Sequence, residues 1–222
     1  MIVHELRHSQ GLQSWDNTVM VGAKLSVADY LSLVCREIKR LDPAQIEKVS
    51  ELVETAYDRG RFVFICGNGG SGANASHFCE DLAKCTLRDF QNQKRLKVLS
   101  LTDNTPGIMA WANDEGYDRI FVEQLKNLAA PDDLLLAISG SGNSPNILKA
   151  VEWANLHGLT TVGITGFSGG MLKSLAHYNL HVPIDDMGVA ESLHQVVFHW
   201  IIDDLYRRFS AKQAVTSGVG AG

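Results

Sequence analysis

From Phe62 to Val182, short apolar runs alternate with longer stretches of helical period. The runs 62–66, 97–101, 134–138, 160–165 and 179–183 read as strands, and 72–86, 107–128, 145–157, 169–176 and 189–209 read as helices. Strands apolar along their whole length are buried on both faces. That pattern belongs to a parallel sheet layered between helices, where ligands bind at the carboxyl ends of the strands. The chain therefore predicts one α/β domain. Ahead of it, Ser26–Leu41 places Leu31, Val34, Cys35, Ile38 and Leu41 on one helical stripe. Pro43–Arg59 follows, with Asp42 as N-cap, proline at the first helical position and Gly60 as the stop. These two helices either cover the sheet or pair with another subunit. Residues 1–25 have weak periodicity and read as an N-terminal arm, and 210–222 as a small-residue, disordered tail.

Composition narrows the partners. The chain has 222 residues, 45% of them hydrophobic, enough for one sizeable core. A net charge of −5 argues against nucleic acid. No stretch approaches the roughly 18–20 apolar residues that span a bilayer, and Met1 to Asp16 lacks the apolar centre of a signal peptide. Cys35, Cys66, Cys79 and Cys85 show no CxxC spacing and are expected as small buried thiols. The expected compartment is the cytoplasm.

Two strands run into glycine- and serine-rich turns that open helices: Gly67-Asn68-Gly69-Gly70-Ser71-Gly72 and Ser139-Gly140-Ser141-Gly142-Asn143-Ser144. Such turns aim backbone N–H groups and the positive end of a helix at an anion. In both, serine is placed to cap the following helix. The first also matches G-x-G-x-x-G. A dinucleotide site needs an acidic residue about 20 residues further on. The candidate, Asp103, lies more than 30 residues after the last glycine. Neither loop holds lysine or arginine, so a bound phosphate is met by N–H groups and hydroxyls.

These loops, together with His77-Phe78, resemble the sugar isomerase (SIS) domain, and within it the phosphoheptose (sedoheptulose 7-phosphate) isomerase family. The likeness spans roughly residues 26–209. It implies a flavodoxin-like five-stranded parallel sheet and a homotetramer with active sites between subunits. It also implies a divalent metal, usually zinc. Position by position, it implies substrate contacts at Asn68, Gly69, Gly70, Ser71, Asn113 and Asp114, and a phosphate grip at Ser139, Gly140, Ser141 and Ser144. His77 and His199 match the family's histidine metal ligands, and His199 also matches a catalytic histidine. Asp81 stands where the family has a catalytic, metal-binding glutamate, and Glu191 where it has a metal-binding glutamine that also meets substrate.

Spacing gives an independent reading. His77 and Asp81 are four apart on one helix. Glu191, Gln195 and His199 also recur every four residues, within about 80° of one another around the last helix. Leu193, Val197, Trp200 and Ile201 form its core face, with His194 at the edge. Two imidazoles and two carboxylates suit Zn²⁺, and the oxygen content also suits Mn²⁺ or Fe²⁺. The expectation is a phosphosugar aldose–ketose isomerase with Asp81 as carbon base and His199 serving the oxygen protons. The alternatives are an isomerase of another sugar phosphate, or a non-catalytic sugar-phosphate-binding or protein-interaction module.

Overall fold

The computed structural model describes residues 24–216, with side chains to residue 213. Helix α1 (Val27–Ile38) starts at Ser26, whose hydroxyl accepts from the Asp29 N–H. Helix α2 (Pro43–Arg59) starts at Asp42, whose carboxylate accepts from the Ala44 N–H at 3.0 Å, and it ends at Gly60 as the pattern predicts. The α/β rhythm follows: β1 (Phe62–Gly67), α3 (Gly69–Lys84), β2 (Lys97–Ser100), α4 (Thr105–Asp114), α5 (Val122–Leu128), β3 (Leu134–Ser139), α6 (Pro145–Leu156), β4 (Thr160–Thr165), α7 (Leu172–Leu175), β5 (Tyr178–His181) and α8 (Met187–Thr216).

All five strands are parallel, in the order β2-β1-β3-β4-β5. Alternation along each strand sorts the core into two layers. Val63, Ile65, Leu136 and Ile138 pack under α2, α3 and α8, against Val53, Phe78, Leu82, Phe198, Ile201 and Phe209. Phe64, Cys66, Leu135 and Ala137 pack on the other face against Phe121, Leu125, Ile147, Val151 and Leu172. Chain order reverses between β1 and β3, where Gly67 pairs with Ile138. Both glycine loops leave the sheet there, so they flank the crevice where such sheets bind ligands.

Several local expectations are corrected. The helix expected at 107–128 is broken. Glu115 ends α4, Gly116 turns the chain at φ 110°, and a short 3-10 turn, Tyr117–Arg119, precedes α5. The stripe on α1 does not face the core as a unit. Leu33 is buried and Tyr30 and Val34 pack beside it, while Leu31 is 57% exposed, Ile38 is 37% exposed and Cys35 is exposed. The helix rests on the body along its Tyr30–Leu33–Val34 edge, which turns Leu31, Cys35 and Ile38 outward. Trp200 is 45% exposed because its neighbours Val197 and Ile201 take the core positions. The last helix continues past 209 to Thr216, and there Lys212 pairs with Glu54 at 2.9 Å. Of the cysteines, Cys66 is buried and Cys79 half-buried, whereas Cys35 and Cys85 are exposed; all four are free. Burial pushes the Cys66 thiol up to about 12 and Cys79 up to about 11, so neither is a thiolate near neutrality. The arm at 1–25 and the end of the tail lie outside the described residues, apart from Lys24 and Leu25. No described helix is long and apolar enough to cross a membrane.

Candidate active site

The first loop opens α3 with Asn68 at the N-cap, yet its side chain does not cap the helix. It is used across the switch point instead. Asn68 Nδ2 donates to Asn146 Oδ1 at 2.9 Å, and Asn68 Oδ1 accepts from Asn146 Nδ2 at 2.8 Å and from the Tyr117 hydroxyl at 2.9 Å. Asn146, 1% exposed, sits in the first turn of α6, directly after the second loop. One amide pair thus ties the two loops together. No spacing rule links positions 68 and 146, so sequence reading missed this partner.

Neither serine caps its helix as expected. Ser71 lies inside α3, and its hydroxyl donates to Glu191 Oε1 at 3.2 Å. Ser144 occupies the N-cap of α6 without a side-chain cap bond, and its hydroxyl instead meets Ser139 Oγ at 3.2 Å. Ser139 Oγ also accepts from the Gly142 N–H, and Ser141 Oγ from the Asn143 N–H at 3.3 Å. The hydroxyls organise the second loop itself. Gly142 is required in it: φ is +68°, and a Cβ would lie 1.9 Å from the Gly169 carbonyl oxygen. Asn113 and Asp114 lie at the exposed end of α4, joined by a 2.8 Å hydrogen bond. Asp103 is exposed and accepts from Ser76 Oγ.

Behind the first loop, α3 and α8 lie side by side and bring chemistry together. Asp81 Oδ2 stands 3.3 Å from His77 Nε2 and 3.8 Å from His199 Nε2. The Asp81 side chain is 14% exposed, while the two imidazoles are about half exposed. Among the described residues, His77, Asp81 and His199 offer ligand atoms that all lie within 4.8 Å of one another. The separations fit a cation: four donors at about 2.0–2.1 Å around zinc are about 3.3 Å apart. Gln195 closes the cluster, its amide nitrogen 2.8 Å from His77 Nδ1 and 3.2 Å from His199 Nε2. Its Oε1 is buried and has no hydrogen-bond partner among the described residues.

Glu191 is not in that cluster. Eight residues of helix set it about 12 Å along α8 from His199, against about 6 Å for Gln195. There it lies over the start of α3, where its backbone carbonyl accepts from Asn74 Nδ2 at 3.0 Å and its carboxylate fills the space beside Gly70. A Cβ at Gly70 would come within 2.1 Å of Glu191 Oε2. The carboxylate therefore touches the first loop itself. His194 is fully buried, with Nε2 3.1 Å from the Thr165 carbonyl, a structural position as its place at the edge of the apolar face suggested. The i, i+4 recurrence of Glu191, Gln195 and His199 was the signal for Gln195 at the cluster.

A doubly wound sheet, two serine-rich turns at its switch point and a His/Asp cluster behind the first define a class. The family model for the SIS domain matches residues 28–166, so this is a SIS-domain protein. The chain is 38% identical over 177 residues to the phosphoheptose isomerase of Helicobacter pylori, covering 80% of this chain and 90% of that one. It is 36% identical over 163 residues to that of Fusobacterium nucleatum, covering 73% and 82%. The solved phosphoheptose isomerase from Francisella tularensis superposes with a TM-score of 0.75 at 30% identity, covering 82% of this chain and 96% of that one. That from Neisseria gonorrhoeae gives 0.74 at 26% identity, covering 81% and 96%. The chain belongs to the phosphoheptose isomerase family.

Proposed function

We propose that the protein interconverts sedoheptulose 7-phosphate and the corresponding aldoheptose 7-phosphate. The observation that carries this is the His77–Asp81–His199 cluster set directly behind the loop pair at the switch point. The phosphate end binds at Ser139, Gly140, Ser141 and Ser144, where N–H groups, hydroxyls and the start of α6 face an anion without a basic side chain. The sugar runs toward Asn68, Gly69, Gly70 and Ser71, with Asn113 and Asp114 from α4 and Glu191 beside Gly70 contacting its hydroxyls.

Aldose–ketose exchange moves one proton between adjacent carbons through an enediol. Asp81 removes the proton from C1 of the ketose; the C–H electron pair becomes the C1–C2 double bond, and His199 delivers a proton to the C2 oxygen. The same groups then return a proton to C2 and take one from the C1 oxygen, leaving the aldehyde. Aspartate at 81 is one methylene shorter than glutamate, so substrate must approach α3 more closely by about 1.5 Å, a displacement on the scale that governs rate. His77, Asp81 and His199 would hold a divalent cation, zinc in the first instance, which would supply Lewis-acid polarisation of the substrate oxygens. Glu191, on present geometry, serves the substrate side of the site.

The apolar faces left outward on α1 (Val27, Leu31, Ile38) and α8 (Val196, Trp200) support assembly with further copies of the chain, a homotetramer in this proposal. The compartment in this proposal is the cytoplasm.

The test is turnover of sedoheptulose 7-phosphate by the wild type, Asp81→Asn and His199→Ala. Loss of a proton-transfer group lowers turnover by about 10²–10⁴-fold. Full activity in either variant removes that residue from the mechanism. Turnover of a different sugar phosphate alone supports the second isomerase reading, and binding without turnover of any sugar phosphate supports the non-catalytic one.

A further inference from the structure

We infer that Gln195 is a positioning residue that sets the proton on His77 and thereby makes the cluster able to hold a cation. The inference rests on the metal site proposed above and concerns a residue outside its ligand set. In the structure the Gln195 amide nitrogen is 2.8 Å from His77 Nδ1 and 3.2 Å from His199 Nε2. An amide N–H donates, so both ring nitrogens act there as acceptors. A neutral imidazole that accepts at Nδ1 carries its proton at Nε2. That nitrogen lies 3.3 Å from Asp81 Oδ2. In that tautomer His77 Nε2 has no lone pair to offer a cation.

A cation held with Asp81 needs the opposite arrangement. His77 must present the Nε2 lone pair, and its proton must sit at Nδ1. Ligating histidines almost always give that second N–H to a carbonyl or carboxylate oxygen, which fixes ring orientation and strengthens the ligand. The atom facing Nδ1 is the Gln195 amide. Turning that amide over places Oε1 at His77 Nδ1, where it accepts the proton. Oε1, unpartnered where it is buried, gains a proton to accept, and the amide nitrogen takes its place. His199 Nε2 no longer needs a donor, because its lone pair faces the cation. Loading therefore moves one proton from His77 Nε2 to Nδ1 and turns one amide, with no change in net protonation.

The position is well suited to this. Gln195 lies between Glu191 and His199 on α8, and its contact to His77 crosses from α8 to α3. Leucine at 195 keeps the bulk and removes the acceptor. Glutamate keeps an acceptor that needs no turning.

The test uses the full chain, stripped with chelator and titrated with Zn²⁺ in competition with a chromophoric chelator, with thermal unfolding as a check on folding. Wild type and Gln195→Glu are expected to bind one Zn²⁺ per chain with similar or, for Gln195→Glu, tighter affinity. Gln195→Leu is expected to bind 10–100-fold more weakly at unchanged thermal stability of the metal-free chain. Side-chain ¹⁵N spectra of histidine-labelled wild type should show the His77 proton moving from Nε2 to Nδ1 as Zn²⁺ is added. Equal affinity in wild type and Gln195→Leu overturns the role of Gln195 and leaves the metal site standing. A His77 proton still at Nε2 in the Zn²⁺-loaded chain also overturns it. No Zn²⁺ binding by the wild type overturns the metal site, and the role of Gln195 with it.

Discussion

Replacing Gly70 by alanine separates what the first loop does for stability from what it does for the site. The change places a methyl group 2.1 Å from Glu191 Oε2 and 2.6 Å from its Cδ, so the carboxylate must move. The backbone need not, because φ at Gly70 lies outside the left-handed region. Two terms then oppose. Alanine in the first turn of α3 gains about 0.5–1 kcal/mol over glycine. Displacing Glu191 breaks its hydrogen bond from the buried Ser71 hydroxyl, a charge-assisted bond that contributes about 1.5–3 kcal/mol. The net loss is about 1–2 kcal/mol. In a Glu191→Ala background the methyl group meets no carboxylate, so the same substitution becomes neutral or stabilising. Denaturant unfolding of the four chains of this double-mutant cycle measures the coupling, expected at about 1.5–3 kcal/mol. Turnover should fall in Gly70→Ala, since the displaced carboxylate enters the crevice beside Ser71. A large destabilisation of equal size in both backgrounds would refute the reasoning, because the methyl group would then be clashing with something other than Glu191.

Further outcomes follow from the same geometry. Burial holds the His194 imidazole down at about 4, and desolvation also lowers His181, which it faces across Thr165. A histidine depressed in the folded state contributes stability above its unfolded value near 6.5 that is lost as pH falls toward the folded value. The His194 share is on the order of 3 kcal/mol between pH 6.5 and 4. Unfolding free energies measured across that window should show it, and His194→Gln should flatten it. Asn146→Ala leaves Asn68 without its amide partner across the loops and is expected to cost about 1–3 kcal/mol and raise KM more than it lowers kcat. An unchanged KM would break the link between loop spacing and substrate. Gly142→Ala forces a left-handed residue against the Gly169 carbonyl, so it should lose phosphate-dependent thermal stabilisation even where the chain still folds.

The sheet and its loops were legible because buried parallel strands are short apolar runs, and because glycine marks where each must turn. The end of α4 was not, since Trp111, Ile120 and Phe121 continue an apolar rhythm across the turn at Gly116. The face of α1 was also hidden. Its stripe is real, but the side that meets the body is the Leu33 edge, and Glu37 is buried with Arg36 and Arg40 as ion partners. In the site, His77, Asp81 and His199 could be found from i, i+4 spacing and from family resemblance together. The seat of the Glu191 carboxylate beside the first loop depends on the missing side chain at Gly70, which makes room on α3 for a carboxylate 121 residues away in sequence. No one-dimensional pattern carries that contact, nor the Asn68–Asn146 pair.

The most direct measurement follows sedoheptulose 7-phosphate by NMR in D₂O with the purified, zinc-loaded protein. Proton transfer through an enediol should yield aldoheptose 7-phosphate, with deuterium at C2 to the extent that the Asp81 proton exchanges with solvent before its return, and Asp81→Asn should lower its formation by about 10²–10⁴-fold. No aldose, or undiminished aldose formation by Asp81→Asn, would contradict isomerisation by Asp81 and His199.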